Sequence, residues 1–273
     1  MKNLTCNINQ HLSFLIATLL YIGTVVAEEN LQEKIKTQAS FYIEKNTYIK
    51  YQQEWQMNLY KKRIKEFKND PIGQNKIVFL GNSITEGGGN WNDRFGVKNI
   101  VNRGISGDTT EGILDRLDEI IYYKPIAVFL LIGINDIFDA DIPGREEITP
   151  SYVSKNIIKI ADQITNQSPS TKIFIQTILP INHKIYTELN DWFPEHAVPL
   201  PIQINKINTL IKNIDLGNKY TIIDLHSAFV NKHGLMDRAY STDGVHLNDA
   251  GYQLWVEYVG KDVQSLAINR DAE

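Results

Sequence analysis

Apolar positions follow two patterns along this chain. Short apolar runs occur at 77–80, at Ile100 and Val101 with Val97 just before, and at 126–132, 172–178 and 220–225, the first of them unbroken. An unbroken apolar run of this length, closed by glycine or turn residues, predicts a strand buried on both faces. Between the runs lie segments with helical spacing, at 110–123, 151–167 and 202–214, and a last one at 247–263 closes the chain. Strands alternating with helices of this length predict βαβ units, hence a parallel sheet with right-handed crossovers and helices on both faces. The fold class read from the pattern is α/β.

Residues 28–69 are charged and helical in period. Tyr60, Ile64 and Phe67 form an apolar stripe that Trp55 and Leu59 extend, and Lys61, Lys62, Arg63, Lys65 and Lys68 fill the opposite face. Such a helix can lie on a membrane surface, or pack on a sheet with its charges in water, and the second reading is the simpler. Pro71 and Gly73 end it. The interval 180–201 breaks the rhythm, with four prolines, His183, His196, Tyr186, Trp192 and Phe193. It is expected to be a long irregular loop, ordered by its aromatic residues, that walls a pocket or packs on the domain surface.

The amino terminus stands apart. Lys2 precedes an apolar stretch, 12–26, that ends Val25-Val26-Ala27 before two glutamates. A positive start, an apolar segment and small residues before the break predict a signal peptide over 1–27 and a secreted or periplasmic protein. An uncleaved anchor is the alternative, although the stretch is shorter than the roughly 20 apolar residues of a spanning helix. Cys6, the one cysteine, lies inside this segment, so a chain starting near Glu28 has no disulfide and no catalytic thiol. The remaining division is a helical lead-in, 28–73, and one domain, 74–266. A length of 273 residues suits one core, and a net charge of −4 without a long basic run argues against nucleic acid as a partner.

Four short motifs fall at strand ends or before the last helix: Gly81-Asn82-Ser83-Ile84, Asn102-Arg103-Gly104-Ile105-Ser106-Gly107, Gly133-Ile134-Asn135-Asp136 and Asp243-Gly244-Val245-His246. In a parallel sheet they converge on one edge, where α/β folds place their chemistry. A serine in a turn is ordinarily a cap; to act as a nucleophile Ser83 needs a base, and the base an orienting carboxylate. His246 and Asp243 can supply both, or Asp243 can simply cap the last helix. Acyl transfer also needs donors for an oxyanion, and the backbone N–H groups of Ser83 and Gly104 and the Asn135 amide are suitable. Gly104 is expected to be glycine so that backbone can approach a ligand; Gly133 has either that reason or a turn.

Taken in order, these blocks resemble the GDSL or SGNH hydrolases, a family of serine esterases and lipases, over about residues 77–258. Ser83, Gly104, Asn135 and His246 match the four naming residues and Asp243 the acid. The resemblance implies a three-layer α/β/α sandwich around a five-stranded parallel, flavodoxin-like sheet, with no metal or other cofactor. It implies that His246 is the general base, that Asp243 orients it, and that Gly104 and Asn135 help form the oxyanion hole. The second and fourth blocks look most like the branch containing platelet-activating-factor acetylhydrolase and bacterial secreted acetylesterases. Asn82 departs from the family aspartate, and an asparagine can still bond the turn.

An ordinary α/β-hydrolase needs Gly-x-Ser-x-Gly at its elbow, and Thr85 stands where the second glycine belongs. Nucleotide-binding glycine motifs are absent, and His183, His196, His226 and His233 lack metal-ligand spacing. The expected activity is hydrolysis of a short, acetyl-type ester of a hydroxylated small molecule such as an O-acetylated sugar. Lysophospholipid or thioester hydrolysis on the same fold, and a carbohydrate- or lipid-binding module without turnover, are the alternatives. After signal cleavage no stable membrane span is expected.

Overall fold

A computed structural model describes residues 41–42, 48–214, 217 and 219–268. The predicted signal segment and Cys6 lie outside the described residues. The unit running from Glu44 onward carries every element described here.

Its first elements are helix α1 (Glu54–Asn69), strand β1 (Ile77–Gly81), two short helices, α2 (Ser83–Glu86) and α3 (Trp91–Phe95), and strand β2 (Ile100–Gly104). Helices α4 (Thr110–Asp115) and α5 (Asp118–Tyr123) lead to β3 (Ala127–Leu131), and α6 (Ile134–Phe138) and α7 (Pro150–Gln167) lead to β4 (Lys172–Gln176). Then come α8 (His183–Asn190), α9 (Leu200–Lys212), β5 (Thr221–Ile223), α10 (Leu225–Phe229), a 3₁₀ turn (Arg238–Tyr240) and α11 (Asp249–Ile268).

The five strands form one all-parallel sheet in the order β2-β1-β3-β4-β5. Every residue of β1 and of β3 is buried, which is why their sequences are apolar without alternation. The register sets Phe79 beside Phe129 and Phe129 beside Phe174. Their rings stack at 4.9 and 4.4 Å, and Trp91 from α3 stacks on Phe79 at 4.5 Å. Trp255 of α11 meets Trp91 at 4.9 Å, so α3 and α11 cover that face of the sheet. Helix α7 packs on β4 and against α4, α5, α6 and α9, with Val153, Ile157, Ile160 and Ile164 wholly buried. Helices therefore flank the sheet, as the apolar runs predict.

Three local expectations change. The segment 110–123 is two helices, because the chain breaks at Arg116 and Leu117, where Arg116 turns inward to Asp108 Oδ2 at 3.0 Å and the Gly81 carbonyl at 3.1 Å. The interval 180–201 is not wholly irregular: α8 occupies its first half, with Asn182 as N-cap. The buried edge of α1 is not its apolar stripe alone. Gln56, Tyr60 and Phe67 are buried and Trp55 is half exposed. Phe67 lies under the Arg103 guanidinium and Arg63 donates to the Gly104 carbonyl, so α1 packs on the domain with its lysines outward. Among the described residues no helix is long and apolar enough to cross a membrane.

Candidate active site

Strand β1 ends at Gly81 and the chain turns at once into α2. Asn82 is buried and caps that helix, its Oδ1 accepting the Ile84 N–H at 3.0 Å. An N-cap needs only an acceptor here, so an asparagine fills the place of the family's aspartate without adding a charge. Ser83 occupies the first helical position. Its backbone N–H has no intrahelical acceptor, and its Oγ lies 3.0 Å from His246 Nε2.

The loop before α11 is folded around the Asp243 carboxylate. One oxygen accepts the backbone N–H of His246 at 2.7 Å and of Val245 at 2.9 Å; the other lies 2.7 Å from His246 Nδ1. An ionised carboxylate only accepts, so the imidazole proton is assigned to Nδ1, which turns the Nε2 lone pair to Ser83. Burial pushes the Asp243 carboxyl up, but the hydrogen bonds from the His246 ring and from the His246 and Val245 amides outweigh it and hold the group at about 2. Capping of α11 falls to Asn248, whose Oδ1 accepts the Gly251 N–H at 2.9 Å.

The two glycines of the second motif divide differently from the expectation. The Gly104 N–H donates to Asn102 Oδ1 at 2.9 Å, and Gly104 does not line the cavity onto which Ser83 opens. A Cβ on Gly104 would lie 2.1 Å from the Glu86 nitrogen, so it is glycine because the end of β2 abuts α2, not because a ligand approaches. Gly107, three residues on, does line that cavity. Its φ is +78°, and among the described residues its N–H meets no protein acceptor. Asn135 lines the cavity too, with one amide hydrogen donated to the Asp108 carbonyl at 2.8 Å and the other left over. Gly133, at φ +122°, makes the turn into α6, with Ile178 and Val153 packed where a side chain would go.

Behind these groups lie two buried carboxyls. Asp108 receives Arg116, Gln52 and the Thr109 N–H; burial still raises it, to about 6, against the pull of that arginine. Among the described residues Asp136 faces no cation; Thr110 donates its N–H at 3.1 Å and its hydroxyl at 2.5 Å, and the Asp136 backbone N–H adds a further hydrogen bond. Burial lifts Asp136 to about 7, with the nearby Asp108 charge adding to it. Of the two, Asp136 is the more readily protonated, because it lacks the guanidinium that Asp108 has.

The cavity has a volume of about 550 Å³. Ser83, Ser106, Gly107, Asn135 and His246 form one side of it, and Phe138, Tyr186, Trp192 and Val245 supply an apolar wall. Phe138, Tyr186, Trp192 and Phe193 make one ring cluster, with centroids 5.6 to 6.3 Å apart. The aromatic part of the 180–201 interval thus faces the cavity, whereas His183 rests on Phe193 and His196 sits 2.8 Å from Asp141. Sequence reasoning missed the remaining wall, Gln53, Trp55 and Gln56 from the start of α1. The signal available for it was a pair of glutamines three residues apart at a helix start. Among the described residues there is no cluster of three metal-ligating side chains.

A serine, a histidine and a carboxylate linked at the carboxyl edge of a five-stranded parallel sheet form an arrangement suited to acyl transfer. The sequence model of the GDSL-like lipase/acylhydrolase family matches residues 79–254. The chain belongs to that family, a family of ester hydrolases. Human platelet-activating factor acetylhydrolase IB subunit alpha2 is 26% identical over 182 residues, which is 64% of this chain and 70% of that protein. A GDSL-like lipase from Bacteroides thetaiotaomicron superposes with a TM-score of 0.60 at 22% identity, over 76% of this chain and 97% of that one. An acetylxylan esterase from Geobacillus stearothermophilus does so at 0.53 and 21%, over 70% and 95%.

Proposed function

We propose that this protein hydrolyses a short-chain, acetyl-type ester of a hydroxylated substrate, such as an O-acetylated sugar, through an acyl-enzyme. The observation that carries this reading is the unbroken line from Asp243 through His246 to Ser83, at 2.7 and 3.0 Å, opening on a cavity that Gly107 and Asn135 also line. Ser83 Oγ attacks the acyl carbon while His246 Nε2 takes its proton, and Asp243 stabilises the imidazolium. The negative oxygen that forms accepts from the Ser83 N–H, the Gly107 N–H and the free Asn135 amide hydrogen. The bond to the alcohol oxygen then breaks, and His246 returns the proton to that oxygen. Water repeats the sequence, leaving the carboxylic acid and regenerating the Ser83 hydroxyl.

The acetyl preference draws support from the acetylhydrolase and acetylxylan esterase named among the similar proteins. In this reading residues 1–27 direct export and the substrate is met outside the cytoplasm. The test compares p-nitrophenyl acetate, octanoate and palmitate for wild type and Ser83→Ala. Acetate turnover is expected to exceed the longer esters, and the variant to lose at least about 10⁴-fold. An unchanged rate in the variant overturns the mechanism, and a preference for palmitate overturns the substrate class.

A further inference from the structure

The start of α1 lies ahead of the segment that the family shares, which begins at residue 79, yet three of its glutamines reach into the active-site loops. Gln56 donates from Nε2 to the Gly107 carbonyl at 2.9 Å in a buried contact, and its Oε1 accepts the Gln53 N–H at 2.6 Å. The two bonds fix the amide's orientation: the oxygen closes the capping box of α1 and the nitrogen is left for the loop. Gln52 donates to Asp108 Oδ1 at 3.1 Å, and Gln53 to Asp139 Oδ2 at 2.8 Å. A Cβ on Gly107 would lie 2.8 Å from the Trp55 ring and 3.0 Å from Gln56 Cγ, so the helix sits directly on this glycine.

The neighbours of Gly107 are held as well. Glu86, one turn after Ser83, accepts both the N–H and the hydroxyl of Ser106, at 2.6 and 2.7 Å. Arg63 of α1 lies 3.2 Å from the other Glu86 oxygen and also donates to the Gly104 carbonyl. On the far side the Asp108 carbonyl takes the Asn135 amide. Among the described residues Gly107 combines a positive φ, which glycine adopts without strain, with an N–H that meets no protein acceptor. The plane that follows it is held at both ends, by the Asp108 N–H donated to the Ile105 carbonyl at 3.0 Å and by the Gln56 bond to the Gly107 carbonyl.

We infer that Gln56 is a positioning residue for the oxyanion site, and that α1 is therefore a working part of the active site rather than a lead-in to it. The inference rests on the proposed role of Gly107 and Asn135 as oxyanion donors. Without the Gln56 donor the Gly107–Asp108 plane is held only by the Asp108 N–H on the Ile105 carbonyl; as it tilts, the Gly107 backbone follows, and the Gly107 N–H in the preceding plane moves off the line on which it meets developing charge. Ground-state binding of the ester needs no such donor, so the effect belongs to the chemical step.

The test uses the full chain and two variants, Gln56→Met, which keeps the length and removes the donor, and Gln56→Glu, which keeps the shape and the Gln53 bond but sets an acceptor against the carbonyl. For each, kcat and KM with p-nitrophenyl acetate are measured alongside inhibition by an alkylboronic acid, which forms a tetrahedral anion on serine, and the thermal midpoint. A fall in kcat of about 10- to 100-fold with KM within about twofold, matched by an equal loss of boronic acid affinity, is expected for both. A loss confined to the thermal midpoint, with kcat and boronic acid affinity of the folded protein unchanged, overturns the inference. Asn135→Ala is run in parallel: if it too leaves both readouts unchanged, the oxyanion reading itself has failed, whereas a large loss there beside intact Gln56 variants removes only the role of α1.

Discussion

Asp136 offers the sharpest quantitative test. It is 4% exposed, and its hydrogen bonds come from Thr110 and its own backbone N–H with no cation among them; Arg116 pairs with Asp108 instead. Burial therefore lifts this carboxyl from 3.8 to about 7, against the Thr110 hydrogen bonds and with help from the Asp108 charge. The folded chain holds this proton between about pH 4 and 7, while the unfolded chain has released it. The unfolded state then binds fewer protons, so stability falls as pH rises through that window, by roughly 4 kcal/mol in all at 1.36 kcal/mol per pH unit. Asp136→Asn removes the titration and keeps an oxygen for the Thr110 donors, at the cost of an offset that does not change with pH. Urea unfolding followed by tryptophan fluorescence at pH 4 to 8 gives both stabilities. The variant is expected to gain on wild type by at least about 2 kcal/mol across the range, most of it between pH 5 and 7. A difference that stays flat from pH 4 to 8 refutes the assignment of the buried proton to Asp136.

Two further outcomes follow from the geometry. In Asp243→Asn the amide oxygen stays on the Val245 and His246 N–H groups, which sets the N–H₂ against His246 Nδ1; the tautomer with its proton on Nε2 becomes favoured, and kcat for the acetate ester should fall about 10⁴-fold with little change in KM. A variant within tenfold of wild type at pH 7 sinks the assignment of Asp243 as the orienting acid. Gly104→Ala forces a methyl group to within 2.1 Å of the Glu86 nitrogen and 2.8 Å of the Asn82 carbonyl, which should cost at least about 3 kcal/mol in urea unfolding and displace α2. Stability within about 0.5 kcal/mol of wild type argues against the tight β2–α2 contact.

The sheet was legible because burial on both faces leaves a mark in composition. Ile77 to Leu80 and Ala127 to Leu131 have no polar residue to alternate with, and nothing but a covered parallel strand tolerates that. Ser83, Asn135, Asp243 and His246 could be singled out because each stands where a strand or loop stops. The choice between Gly104 and Gly107 could not be read in the same way. Both are glycines in one motif, and the distinction depends on β2 continuing through Gly104 and meeting α2, a contact between segments 18 residues apart in sequence. Gln52, Gln53 and Gln56 were invisible for a related reason. Their partners, Asp108, Asp139 and Gly107, are 56, 86 and 51 positions away, and a polar residue that bonds across such a span looks the same in sequence as one in water. The helix α8 was hidden by the prolines that follow it, since its cap, Asn182, also reads as a loop residue.

Ser83 and His246 stand 163 positions apart yet touch at 3.0 Å, and the histidine enters only with the loop that α11 anchors. A chain emerging from the ribosome thus acquires its serine, its glycine loop and most of its sheet long before it acquires a base. In the proposed mechanism the serine has no base until the final twenty-residue helix is in place, with Trp255 against Trp91. Hydrolytic competence is therefore tied, in that mechanism, to the carboxyl-terminal helix and not to the strand end that carries the serine.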